Sequence, residues 1–256
     1  MADSRLKIDI RREKILEYLN RDGKVWVSDL SKELGVTLVT VRNDLNALEK
    51  DGYLERIQGG AVRRERSTTD PFEERRVRTG EKREIARAAS DWIKDGTTLF
   101  ISSGTTTKYF AEELKNHKNL NVVTNSVAVA LELSRFPLIH SVLLGGEVSA
   151  QYGFTYGGDT QEQIQHYQAD WAILSIDGIS AQGGVTTFHG EEASVNRLMI
   201  ERARNTLILA DYTKVGRTGF THLCGVGPEV HLITDKKCSE EAVEELRKAG
   251  TEVRIV

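Results

Sequence analysis

The stretch Ser102-Ser103-Gly104-Thr105-Thr106-Thr107 follows the apolar run Leu99-Phe100-Ile101 and precedes an amphipathic pattern at Tyr109, Phe110 and Leu114. A strand, a tight turn and a helix start are expected there. Such a turn offers backbone N–H groups and hydroxyls at the positive end of a helix, which suits an anion. Gly104 allows close backbone approach and a positive φ. Thr105, Thr106 and Thr107 can cap the helix and donate to phosphate oxygens, as can Ser103. No Gly-Lys-Ser/Thr follows, so the turn is not a nucleotide P-loop. Clusters of this composition also serve as plain turn and cap, and the rest of the chain has to decide between the two.

From Glu81 onward helix and strand patterns alternate. Strands are expected at Thr97–Ser102, Leu120–Thr124, Ile139–Leu144, Trp171–Ile176, Thr206–Ala210, His231–Thr234 and Val253–Val256, with helical patterns between them. Alternation of this kind implies a mainly parallel α/β sheet covered on both faces. Ligands in such sheets sit at the carboxyl ends of the strands. Polar and glycine signals do cluster there: the Ser103–Thr107 turn, Thr124-Asn125-Ser126, Gly145-Gly146, Asp177-Gly178 and Asp211-Tyr212-Thr213-Lys214. A further loop, Gly183 to Thr187, leads to Glu191-Glu192 at a helix start, and Tyr152 to Gly158 is a glycine- and tyrosine-rich loop. Phosphate donors, carboxylates and a lysine on one rim suit a small phosphorylated sugar. The expected ligand set is Ser103, Gly104, Thr105, Thr106, Thr107, Asn125, Gly145, Gly146, Asp177, Glu191 and Lys214, with Glu192 an equal choice for the role of Glu191.

The first 66 residues carry a different chemistry. Ile15, Leu16 and Leu19 mark a first helix, and Val25-Trp26-Val27 is β-prone. Ser28 is placed to cap a second helix that stops at Gly35, and Thr37 to cap a third with Leu38, Val41, Leu45 and Leu48 inward. Two short helices joined through Gly35-Val36 form a helix-turn-helix. Thr37, Val39, Thr40, Arg42, Asn43 and Asn46 then face outward, with side chains able to read guanine, adenine or a thymine methyl. Two β-prone arms around Gly59-Gly60 give a hairpin, a wing with Arg56, Arg63 and Arg64 available for phosphates and with Gln58 and Gly59 also expected at the DNA.

Bulk properties agree. Residues 1–66 hold 14 Lys/Arg against 12 Asp/Glu, leaving 21 against 26 for the remainder of a chain whose net charge is −3. That excludes a protein that coats nucleic acid non-specifically and leaves room for a local basic surface. The two cysteines, Cys224 and Cys238, are far apart and form no zinc or disulfide pattern. With no apolar signal region and only strand-length apolar runs, a cytoplasmic location with no membrane contact is expected, and no cofactor or metal. Three segments follow: 1–66 for DNA, a polar linker at 67–80, and an α/β unit at 81–256 for the ligand and for homo-oligomer formation.

Arg11-Arg12-Glu13-Lys14-Ile15-Leu16, Val36-Thr37 with Thr40-Val41-Arg42-Asn43-Asp44-Leu45, and Gly59-Gly60-Ala61 resemble the DeoR family of bacterial transcriptional regulators. Family members often carry two arginines where Arg42-Asn43 stands and a His at Gln58, which alters the operator read and leaves the type intact. The strand-end motifs extend the resemblance across the large domain. It implies an effector domain similar in fold to ribose-5-phosphate isomerase, binding phosphorylated sugars. It also implies that Asp177, Glu191 and Lys214 occupy places analogous to that enzyme's acid–base and lysine residues. The function implied is a repressor of carbohydrate genes, a dimer or tetramer on double-stranded operator DNA, modulated by a phosphorylated sugar. The alternative is an active sugar-phosphate isomerase with a DNA-binding appendage. No Gly-x-Gly-x-x-Gly or Walker A sequence is present for a nucleotide-dependent regulator.

Overall fold

Ile15, Leu16 and Leu19 recur at helical spacing and all are buried, which is what holds the first helix, α1, in place at residues 14–19. The computed structural model describes residues 11–12, 14–19, 21–50, 53–62, 79–150 and 152–256. The chain divides into two compact units, Met1–Val77 and Arg78–Val256. After α1 the first unit runs β1 (Lys24–Trp26), α2 (Val27–Leu34), α3 (Leu38–Lys50), β2 (Glu55–Ile57) and β3 (Gly60–Val62). Val27, Leu30, Val41, Leu45 and Leu48 join α1 in one apolar core, closed by Leu54 and Ala61. The three strands form an antiparallel sheet in the order β1-β3-β2.

Helix α2 stops at Gly35, where φ is +63°, a conformation glycine adopts without a Cβ penalty. The Thr37 hydroxyl then accepts the Thr40 N–H at 3.2 Å and starts α3. Three expectations are corrected. Helix α2 begins at Val27 without a side-chain cap, because Val27 is needed in the core; Ser28 lies inside the helix beside Asp29. Leu38 is 46% exposed, since the buried stripe begins at Val41 and the first residue of α3 projects past it. The wing turns at Gln58-Gly59, with Gly59 at φ +81°. Gly60 belongs to β3 opposite Trp26, and a Cβ there would lie 2.2 Å from the Val25 carbonyl oxygen.

The second unit opens with α4 (Thr79–Ser90), two residues before its expected start at Glu81 and inside the expected 67–80 linker. The remainder of that linker, 67–78, and both Arg63 and Arg64 lie outside the described residues. Seven parallel strands follow: β4 (Thr98–Ile101), β5 (Leu120–Thr124), β6 (Ile139–Leu143), β9 (Ala169–Leu174), β12 (Ala203–Leu209), β14 (Val230–Thr234) and β15 (Glu252–Ile255). Their order is β15-β14-β12-β9-β4-β5-β6. Both faces are buried, as parallel pairing requires. Leu99 and Ile101 enter the cluster that holds α4 and α5 (Thr105–Glu113), while Phe100 enters the opposite one with α8 (Gly190–Glu201) and α9 (Glu240–Lys248). Among the described residues the other α-helices are α6 (Val127–Leu133) and α7 (Gly158–Ile164).

Five further strands leave the carboxyl ends of the parallel ones. After β6 come β7 (Glu147–Ser149) and β8 (Phe154–Tyr156), an antiparallel pair. After β9 come β10 (Gly178–Ser180) and β11 (Gly184–Thr187), and after β12 comes β13 (Thr221–Cys224); these three form a second sheet. The loop expected at Gly183–Thr187 is therefore mostly strand β11, and the one expected at Tyr152–Gly158 contains the three residues of β8. Gly184, at φ +68° and with a Cβ position 2.3 Å from the Cys224 carbonyl oxygen, is where the second sheet closes too tightly for any side chain.

Candidate functional site

In the first unit, Val39, Arg42, Asn43 and Asn46 lie exposed on one side of α3, with Thr37 and Leu38 at its start. The spacing of three and four residues puts them on a single face. Opposite this face, buried Asp44 is clamped by Arg11 at 2.5 Å and Arg12 at 3.1 Å, which precede α1 in the chain. The two N-terminal arginines thus orient the third helix from behind. Arg56 does not stand free on the wing: its Nη1 donates to Asn46 Oδ1 at 3.0 Å and its Nε to the Gly60 carbonyl at 3.1 Å. Its backbone N–H reaches Glu49 at 2.8 Å. Arg56 therefore ties the wing to α3. Gln58 and Gly59 are exposed at the wing's tip, and Trp26 packs beneath them.

In the second unit, the turn after β4 is formed as the spacing implies, with two changes. The residue before α5 is Gly104, and no side chain caps the helix. The Thr107 hydroxyl donates back to the Gly104 carbonyl at 3.1 Å. Ser103, Thr106 and Thr107 are all buried, and Thr105 alone of the turn's hydroxyl residues is partly exposed beside the helix's first N–H groups. Gly104 has φ +153°, and a Cβ on it would lie 2.4 Å from the Ser175 Cβ. The turn is pressed against the end of β9 in a way only glycine permits.

Residues from the ends of β9, β11 and β12 and from the start of α8 form a chain of contacts that reaches this turn through Glu192. Ser103 Oγ donates to Glu192 Oε1 at 3.2 Å. Thr187 Oγ1 stands between Glu192 Oε2 at 3.4 Å and Asp177 Oδ2 at 3.0 Å. The Phe188 N–H donates to Asp177 Oδ2 at 3.0 Å, and Lys214 Nζ lies 3.4 Å from Asp177 Oδ1. Burial pushes the Asp177 carboxyl up, but Lys214, His189, the Phe188 N–H and the Thr187 hydroxyl outweigh it and hold it below its ordinary value. The His189 ring lies 4.5 Å from that of Tyr152. Of the two adjacent glutamates, Glu192 is the one that reaches the turn; Glu191 is exposed on the first turn of α8.

Asn125 is buried at the end of β5, with its Nδ2 donating to the Thr155 carbonyl at 3.1 Å. Its Oδ1 has no hydrogen-bond partner among the described residues. Gly145 and Gly146 serve packing. The Gly145 N–H donates to Gln163 at 2.9 Å, and a Cβ on Gly146 would lie 2.2 Å from Thr160 Oγ1. Thr187 and His189 were not singled out from the sequence. Their proximity to Asp177 depends on β11 being a strand, which the Gly-Gly start of that segment concealed. Among the described residues no group of His, Cys, Asp or Glu could hold a metal ion. No helix among them is long and apolar enough to cross a membrane.

A helix-turn-helix and wing joined to an α/β unit with a polar rim at its strand ends is the architecture of a ligand-responsive DNA-binding regulator. Residues 11–67 match the DeoR-like helix-turn-helix domain, and residues 77–236 match the DeoR C terminal sensor domain. The glycerol-3-phosphate regulon repressor of Escherichia coli (strain K12) is 33% identical over 226 residues, 88% of this chain and 90% of that one. The HTH-type transcriptional regulator GolR of Listeria innocua is 32% identical over 96% of this chain and 97% of its own. The lactose phosphotransferase system repressor of Lactococcus lactis is 33% identical over 94% and 96%. Among solved structures, ribose 5-phosphate isomerase from Plasmodium falciparum is similar with TM-score 0.39 and 18% identity, covering 57% of this chain and 53% of that one. A probable sor operon regulator from Shigella flexneri has TM-score 0.43 at 12% identity, covering 66% and 88%.

The chain belongs to the DeoR family. It is a transcriptional regulator that binds DNA through its N-terminal helix-turn-helix, and not an isomerase: the relatives that match it along nearly their whole length are regulators.

Proposed function

We propose that this protein represses genes of carbohydrate use, binding operator DNA as a homo-oligomer and responding to a small phosphorylated sugar or polyol. The observation that carries the reading is the meeting of two chemistries on one rim. The Ser103–Thr105 turn supplies backbone N–H donors and the Thr105 hydroxyl at the positive end of α5. Asp177, Glu192 and Lys214 stand across from it as acceptors and a cation for hydroxyl groups. Free Oδ1 of buried Asn125 is a further acceptor. The names of the relatives agree, one governing a glycerol-3-phosphate regulon and one a lactose phosphotransferase system.

The rim is built for binding rather than turnover. Aldose–ketose isomerisation needs a carboxylate base poised near neutrality. Asp177 is instead held ionised by its neighbours, and Glu192 is spanned between two hydroxyls. Calorimetric titration with ribose 5-phosphate, glucose 6-phosphate, fructose 6-phosphate and glycerol 3-phosphate tests the reading. Binding of one of them, lost in Lys214→Met and without turnover, is expected. Binding unaffected by Lys214→Met would place the ligand elsewhere.

A further inference from the structure

Two routes of side-chain contact leave the rim and end on the same turn of one helix. The first starts at the anion turn. Helix α5 grows directly from it, and α4 packs along α5 through Ile85, Ala86 and Ala89 against Phe110 and Ala111 in a single buried cluster. The alanines let the two helices approach closely. Near the start of α4, Arg83 donates from Nη1 to Glu112 Oε2 at 3.0 Å, and its guanidinium lies 4.2 Å from the centre of the Tyr109 ring.

The second route starts at Lys214. Its loop is anchored at Tyr212, whose N–H donates to Asp235 Oδ2 at 2.8 Å. The other oxygen of buried Asp235 accepts the Lys237 N–H at 3.0 Å, so one carboxylate braces two loops. The Lys237 ammonium then pairs with Glu81 on α4 and lies near the Tyr212 ring. That pairing holds the Glu81 carboxyl below its ordinary value.

Glu81 and Arg83, two residues apart near the start of α4, thus take contacts from the two halves of the ligand site, Glu81 from Lys237 and Arg83 from Glu112 and Tyr109. Helix α4 is also the first element of the second unit, so any pull passed along the chain between the units enters at Thr79. Packed helices shift as bodies rather than deform. The end of α5, where an anion would bind, and the loop of Lys214, where a hydroxyl would bind, are each joined by contacts to α4.

We propose that Glu81 and Arg83 couple ligand occupancy to operator affinity, without contacting either ligand. This rests on the rim being the effector site. Coupling is a free energy between two sites, measured as the ratio of operator Kd with and without ligand. The test uses the full chain, a duplex selected by the protein from a random pool, and the four phosphorylated compounds named above as probes. In Glu81→Gln and Arg83→Gln, probe affinity and probe-free operator affinity stay within about twofold of wild type, while the probe-induced change in operator Kd shrinks at least fivefold. The exchange Glu81→Lys with Lys237→Glu restores most of it, which a merely misfolded helix could not do. Variants that keep the full probe-induced change overturn the coupling role and leave the site reading standing. A wild-type protein that binds none of the probes overturns the site reading, and the coupling role with it.

Discussion

Replacing Gly104 by alanine isolates the geometry on which the ligand site depends. A Cβ there would lie 2.4 Å from Ser175 Cβ, 2.7 Å from Ser175 Oγ and 3.2 Å from Thr107 Oγ1. Ordinary carbon–carbon contact is about 3.5–4.0 Å, so the turn must back away from β9 by more than 1 Å, roughly, on that measure. The φ of +153° adds strain of about 1–3 kcal/mol, and overpacking adds about 1–3 kcal/mol. A total near 3–4 kcal/mol lowers Tm by about 6–16 °C in a domain of this size. Ser175 stands two residues before Asp177, so the retreat also spreads Ser103 from Glu192. Thermal unfolding with and without the bound phosphorylated compound reads both effects. Gly104→Ala should melt lower and gain less from ligand; adding Ser175→Gly should recover the overpacking part and not the φ strain. A single variant melting within a degree of wild type would refute the tight approach of the turn to β9.

The other expectations concern the two units separately. Asp44→Ala leaves Arg11 and Arg12 facing an apolar core and should destabilise the DNA-reading unit by roughly 3 kcal/mol, read by denaturant unfolding. Arg42→Ala, on the exposed face of α3, should weaken operator binding by about 1–2 kcal/mol with ligand affinity unchanged; unchanged operator affinity contradicts the orientation of α3. Asp177 is depressed in the folded state, so its ionised form stabilises the fold above the unfolded value near pH ~4 and that contribution is lost as pH falls toward the folded value. In Lys214→Met burial has a larger say and pushes the same carboxyl up, so the variant's deficit should be greatest at neutral pH and shrink toward pH ~4. A deficit independent of pH would show that Lys214 acts through packing alone. Thr105→Asp sets a carboxylate at the start of α5, where the helix tolerates it, and should abolish ligand binding without lowering Tm.

The order of helices and strands was legible because buried parallel strands and amphipathic helices write different periods into the chain. Leu99-Phe100-Ile101 and Leu120 to Thr124 are unambiguous for that reason. The second sheet was not legible. Its strands are three or four residues long, β10 and β11 open on glycines, and β11 is held on its other side by pairing with Thr221–Cys224 far along the chain. The site suffered from the same distance effect. Asp177, Lys214 and the Ser103 turn could be read as strand-end residues, but Thr187 and His189 could not. The choice between Glu191 and Glu192 turns on helix phase, which adjacent identical residues conceal. Arg56 and Asn46 each suited DNA when read alone; that they bond to one another depends on how the wing folds over α3.

Fluorescence anisotropy of a self-selected operator duplex, at fixed near-physiological salt, tests the central claim most directly, because phosphate contacts make affinity salt-dependent. The account predicts tight binding, well above that to a scrambled duplex, and a changed Kd when one of the phosphorylated compounds is added. It further predicts that Thr105→Asp keeps the operator affinity and loses that change. Equal affinity for the scrambled duplex, or a Thr105→Asp protein that still responds, would contradict it.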